Sequence, residues 1–231
     1  MNGKLNHALA SLVLMYSATA WSQEATMATI NGQDEYKLSG HTECGGEATF
    51  EATIKPGERF IVREFSNDEK DWEVYLKSGI SGTIPRNRIR VLPDEPLAKL
   101  NFDSCKKEWR KLQSKPIKKT DVVAHSAKKY HGVANYYKTL VQASEGDAKA
   151  FAQFDSLHPD GVAGDGQEEN RWIFLHVAGD DTFAKLLAGQ SSEAREGWAA
   201  WFSGWAVRPI SNTKAYIKQN FPKTYALLYG N

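Results

Sequence analysis

The chain is poor in the residues that staple, kink or span. Of its 231 residues only 2 are Cys, 8 are Pro and 3 are Met. Two cysteines 61 positions apart, with no His at finger-like spacing, exclude a zinc-finger site, which needs four ligands. A third Cys and a Gly-x-Ser-x-Gly elbow are both missing, so the common thiol and serine nucleophile signatures are absent. Beyond the N-terminus no apolar run approaches the roughly 20 residues that cross a bilayer. Neither charge dominates: 29 Lys and Arg stand against 28 Asp and Glu. Bulk attraction to nucleic acid is therefore not expected. The hydrophobic share of 41% and charged share of 25% are those of an ordinary globular chain long enough for two modest domains.

What is present begins at the N-terminus. Lys4 and His7 precede an apolar stretch from Ala8 to Ala20, which closes on Ala18-Thr19-Ala20. A charged start, a short apolar middle and small residues at the end are the marks of a cleaved secretory signal over residues 1–20. Its removal takes away Lys4, the one formal charge there, and leaves a mature chain near neutrality. Export to the periplasm or outside the cell meets an oxidising environment, in which Cys44 and Cys105 are expected to pair as a disulfide.

From Asp34 to Leu92 the pattern is that of strands. "EYKLS", a Gly-rich loop "GHTECGGEATFEATI", "ERFIVREF", a polar turn "SNDEKD", "WEVYLKSG" and "GTIPRNRIRVL" follow in turn. Trp72, Val74 and Leu76 alternate with Glu73, Tyr75 and Lys77, the period-2 signature of a strand with one buried face. Five short strands with Gly and Pro punctuation suit a small closed barrel over residues 30–96.

The stretch "DWEVYLKSGISGTIPRNRIRVL" resembles the second half of an SH3 or bacterial SH3-like domain. In that family a Trp opens one strand, and a Gly-x-Ile-Pro-x-Asn segment enters a short helical turn before the last strand. Trp72 falls at the strand-opening Trp, and Gly82, Ile84, Pro85 and Asn87 fall at the closing motif. The resemblance implies a binding-type barrel with Trp72 and Pro85 in its ligand groove. Arg88 stands where the family has a peptide-binding Tyr, and no Tyr-rich motif surrounds Tyr36. Trp72 is accordingly expected to pack rather than to hold a proline-rich ligand.

Pro93 and Pro96 end the strand pattern. Residues 97–123 form a basic linker or helix. Between Lys106 and Lys129 lie nine basic residues, Lys118 and Lys119 among them, against Glu108 and Asp121. Such a run is a solvated face or a contact for an anionic surface. Helical periodicity takes over in residues 124–231, beginning with Tyr130, Val133, Ala134, Tyr137, Leu140 and Val141 on one face. Shorter helices are expected near 145–157, 167–178, 181–189, 192–206 and 212–229, with Asp180 and Ser191 in capping positions. The fold class is thus α+β: a small SH3-like β-barrel followed by an all-α helical bundle or a short stack of helix pairs.

Three groups in the helical half could carry chemistry. Trp198, Trp201, Phe202 and Trp205 form a stripe that suits core or an aromatic groove. "HPDGVAGDGQEEN", residues 158–170, holds Asp160 and Asp165, whose spacing of five fails the EF-hand pattern. It reads as a long helix connection with Asp165 as a cap, and its length makes it a candidate functional loop. His176 and Asp180, four apart, could hydrogen-bond as a base and its orienter.

No cofactor or metal is implied. The expected function is an exported, non-catalytic binding protein that contacts a protein partner or a peptidoglycan-type cell-wall component. The expected contact residues are Lys118, Lys119, Asp160 and Asp165, with Trp72 and Pro85 secondary. The alternatives are an envelope hydrolase targeted by the barrel and an inhibitor or immunity protein against a secreted toxin.

Overall fold

The structure, a computed structural model, describes residues 25–42, 44, 49–63, 70–203 and 213–230. The signal segment 1–20, most of the turn "SNDEKD", Trp205 and Pro209 lie outside the described residues.

Seven antiparallel strands make one curled sheet: β1 (Thr26–Ile30), β2 (Tyr36–Thr42), β3 (Thr49–Ile54), β4 (Phe60–Arg63), β5 (Asp71–Tyr75), β6 (Ile80–Pro85) and β7 (Ile89–Leu92). Their order is β3-β2-β6-β5-β4-β1-β7. A 3-10 turn, Arg86–Arg88, joins β6 to β7. The expected closed barrel is instead a half-barrel, since β3 and β7 are its two ends and do not pair with each other. Two strands escaped the sequence reading. β1 precedes residue 30, and β3 lies in the stretch read as a Gly-rich loop. Gly40, which opens that stretch, serves close approach. A Cβ on Gly40 would stand 2.2 Å from the Ser81 carbonyl oxygen, so the β2–β3 hairpin lies on β6 only because Gly40 pairs with Gly82.

The alternation along β5 has a use for both faces. Trp72 and Val74 point into an inner core with Ala28, Ile30, Leu38, Phe60 and Ile84. Tyr75, with Met27 and Ile61, points outward into the helical core, which includes Phe102, Trp109 and Tyr216. β1, β4 and β5 are therefore covered on both sides, and the two halves share one apolar core.

The helical half comprises, among the described residues, α1 (Asp103–Leu112), α2 (Val122–His131), α3 (Tyr136–Ser144), α4 (Ala148–Asp155), α5 (Val162–Ala188), α6 (Ser192–Ser203), α7 (Thr213–Asn220) and α8 (Pro222–Tyr229). The single apolar face expected from Tyr130 to Val141 is split between α2 and α3. Gly132 ends α2 with φ 68°, and Asn135 caps α3 by accepting from the Lys138 N–H at 3.0 Å. Tyr130 is consequently 68% exposed. α5 bends at Gly179, whose φ 74° and ψ 166° are non-helical, between the two segments expected there. Pro222 separates α7 from α8, as proline at a first helical position does.

The seam is tied covalently and by hydrogen bonds. Cys44 and Cys105 form a buried disulfide, joining the β2–β3 connection to α1. The Asn101 N–H donates to the Lys77 carbonyl at 2.8 Å, and the Leu100 N–H donates to Tyr216 Oη at 3.0 Å. A cleft of about 340 Å³ runs along this seam between Thr26, Pro93, Pro96, Leu97, Tyr216 and Gln219.

Candidate functional site

The Gly-rich stretch 158–170 is mostly helix. Only a short turn precedes α5, whose first residue is Val162. Asp165 therefore sits in the first turn rather than at the cap, where its charge still favours the positive end of the helix dipole. The glycines are there for packing. A Cβ on Gly166 would meet Val123 Cγ2 at 2.6 Å, so α5 touches α2 at this position, near the N-terminal end of each. A Cβ on Gly164 would lie 2.5 Å from the Pro159 carbonyl oxygen, which folds the turn against the same helix end.

That contact brings together two segments far apart in sequence. Lys118 and Lys119, with one residue intervening, precede Asp121, the cap of α2, which accepts from the Ala124 N–H at 3.1 Å. The second oxygen of Asp121 accepts the Tyr137 hydroxyl at 2.6 Å, fixing the start of α2 to α3. Burial and the adjacent carboxylate push the Tyr137 hydroxyl up, so it stays a donor. On the α5 side, the Arg171 guanidinium donates to the Asp155 carbonyl at 2.9 Å and lies 3.5 Å from its carboxylate, holding α4 against α5. Desolvation raises the Asp155 carboxyl and lowers Arg171, the signature of a half-buried pair.

Lys118, Lys119, Asp160 and Asp165 are all exposed and enter no ion pair among the described residues. Two apolar side chains flank them: Val122 is 41% exposed and Val162 71% exposed. The rest of the basic run is partly neutralised, because Glu145 takes Arg110 at 2.6 Å and Lys106 at 3.7 Å, and Glu108 takes Lys111 at 2.9 Å.

The other candidates resolve differently. Trp198 and Phe202 are buried among Phe151 and Phe183, and Trp201 packs at their edge, so the described part of the stripe is core. His176 and Asp180 do not pair. Asp180 instead accepts from the Lys223 and Thr224 N–H groups at 2.9 and 2.8 Å, starting α8, because Gly179 turns it away from the helix bearing His176. His176 lies 2.9 Å from the Trp172 carbonyl through Nδ1 and 2.9 Å from Tyr216 Oη through Nε2. A carbonyl only accepts, so Nδ1 carries the proton and Nε2 accepts from Tyr216. Burial holds this imidazole neutral, with a pKa lowered from 6.5 to about 3. The unfolded chain therefore binds one more proton than the folded one between those values. Stability from this group is complete above pH 6.5 and is expected to fall by about 1.4 kcal/mol per pH unit as pH drops toward 3. Denaturant titrations across that range should show a flatter profile for His176→Phe.

In the half-barrel, Trp72 is 9% exposed, and the Arg86 guanidinium lies 5.2 Å over its ring. Pro85 is half-buried at the end of β6. The Arg88 guanidinium stands 5.9 Å over the Tyr36 ring. Arg88 is one of three alternate arginines, Arg86, Arg88 and Arg90, in "RNRIR", a repetition visible in the sequence.

These features define an α+β protein in which a curled sheet and a helical half share a core and a disulfide, with a mixed-charge surface at the α2/α5 end. No family model, curated protein or solved structure matches the chain. Among the described residues, no helix is long and apolar enough to cross a membrane.

Proposed function

We propose that this is an exported, non-catalytic binding protein of the periplasm or cell exterior, whose half-barrel is an SH3-like module and whose partner surface is the α2/α5 end of the helical half. The carrying observation is the Gly166–Val123 contact, which sets the start of α2, near Lys118, Lys119 and the exposed Val122 in the chain, against the start of α5, near Asp160, Asp165 and the exposed Val162. Charges of both signs beside exposed apolar side chains suit a protein partner, since such a rim steers encounter while the apolar groups exclude water. The buried disulfide and the N-terminal segment support export. The SH3-like reading is supported by the 3-10 turn between β6 and β7 and by β1 pairing with both β4 and β7.

The partner is to be sought by pull-down from envelope extract with mass spectrometry, beside sedimentation with purified peptidoglycan. Capture of one protein at stoichiometric yield, with the protein left in the supernatant of the peptidoglycan arm, is the expected result. Co-sedimentation alone would point to the cell wall. Release of peptide or sugar fragments would show an envelope hydrolase and overturn the reading.

A further inference from the structure

The strand ends that carry Trp72, Pro85 and Tyr36 are opposite those that meet the helices. Trp72 pairs with Ile84 near one end of the β5–β6 ladder, whereas Lys77 and its bond to Asn101 lie past the other. At this far mouth the Arg88 guanidinium lies 5.9 Å over the Tyr36 ring and that of Arg86 5.2 Å over the Trp72 ring. A guanidinium held over a ring loses little further freedom when its remaining N–H groups take an oxyanion. Arg88 Nε is buried and has no hydrogen-bond partner, an orphan donor at the site itself. Two other arginines of this half contrast with it: Arg59 is bound to Glu95 at 2.6 Å and Arg63 to Glu73 at 2.8 Å. Arg88 and the exposed Arg90 enter no ion pair among the described residues.

The same arginines border a sheet edge. Among the described residues, β7 pairs only with β1. The Asn31 N–H donates to the Arg88 carbonyl at 2.7 Å, so antiparallel alternation directs Arg90 and Leu92 at β1 and turns the N–H and C=O of Val91 outward. Val91 is 36% exposed. An oxyanion alone would satisfy Arg88, but only a polypeptide matches an open strand edge as well.

We propose that this face is a second binding site, distinct from the α2/α5 end, that takes an extended acidic peptide as an added strand along β7. Val91 exchanges backbone hydrogen bonds with the peptide, while Arg88 and Arg90 receive its carboxylates. The site replaces the apolar groove of the resembling family by a charged one.

The test is calorimetric titration of the intact protein with a short synthetic peptide alternating Glu and Val. The comparisons are the same peptide with Lys for Glu, the same peptide N-methylated at alternate amides, inorganic phosphate, and vesicles of anionic phospholipid. The Glu peptide should bind, and both the Lys and the N-methylated forms should lose about tenfold or more in affinity. Arg88→Gln should produce a similar loss and Arg90→Gln a smaller one, each without altering partner capture through the α2/α5 end. Arg90 is exposed on the strand surface, so Arg90→Gln decides the matter should Arg88→Gln fail to fold. Equal binding of the Lys or N-methylated peptide, an unchanged affinity in Arg90→Gln, or Arg88-dependent binding of phosphate or vesicles without binding of the peptide would each overturn the proposal.

Discussion

Replacing Cys44 and Cys105 by Ala is expected to lower the unfolding free energy by about 4 kcal/mol, the chain-entropy value for a bridge that closes a loop of 61 residues. The expected drop in melting temperature is about 10 °C for a chain of this size. The bridge restrains the unfolded chain over a segment that includes most of the sheet, from the β2–β3 connection through β7 to α1. Its sulfurs are buried beside Trp109 and Phe102, so the alanines also leave a small void at the seam. Thermal unfolding of the oxidised protein and of the double variant, followed by circular dichroism, measures the difference. A change below about 1 kcal/mol would mean that packing of Met27, Ile61 and Tyr75 against the helices already holds the seam without the bridge.

Trp72→Ala is expected to cost about 3–5 kcal/mol, the range for truncating a large buried aromatic. The indole belongs to the inner core with Val74 and Ile84 and lies under the Arg86 guanidinium, so its loss opens a cavity and removes that contact. In the folded fraction, capture of the partner through the α2/α5 end should persist. A variant that melts like the parent but no longer captures the partner would return Trp72 to the ligand-binding role it has in SH3-like domains.

The parts of the fold that were legible in the sequence are those in which one residue pattern answers to one neighbour. Trp72 and Val74 alternate with Tyr75 because the inner core takes one face of β5 and the helices take part of the other. Ser191 sits before α6 and its hydroxyl oxygen accepts from the Ala194 N–H at 3.2 Å, as its position suggested. Where one residue type serves two purposes, the reading failed. Gly164 and Gly166 look like loop residues, yet their use is to let the turn and α2 approach the start of α5. Gly132 and Asn135 were visible signals of a helix end and a new cap, but the apolar period of Tyr130 to Val141 ran through them and suggested one helix. β1 was missed because "TMATI" is short and lies next to the N-terminal segment, although it runs between β4 and β7.

The candidate surface was legible only in pieces. Lys118 and Lys119 drew attention by charge, and Asp160 and Asp165 by their Gly-rich setting. What links the two segments is the packing of α2 on α5, a tertiary contact 43 residues apart in the chain between Val123 and Gly166. The His176–Asp180 pairing failed for a local reason: Gly179 breaks the helical geometry that the spacing of four assumes.

The central claim is that the α2/α5 end is the partner surface, and its most direct measurement is the affinity of the captured partner for charge-reversed proteins. Lys118→Glu with Lys119→Glu, and separately Asp160→Lys with Asp165→Lys, alter exposed side chains that form no ion pair among the described residues, so both variants should melt within a few degrees of the parent. Each is predicted to weaken partner binding by about tenfold or more, with most of the Lys effect on the association rate and lost at high salt. Two well-folded charge-reversed proteins that bind the partner as tightly as the parent would contradict the account.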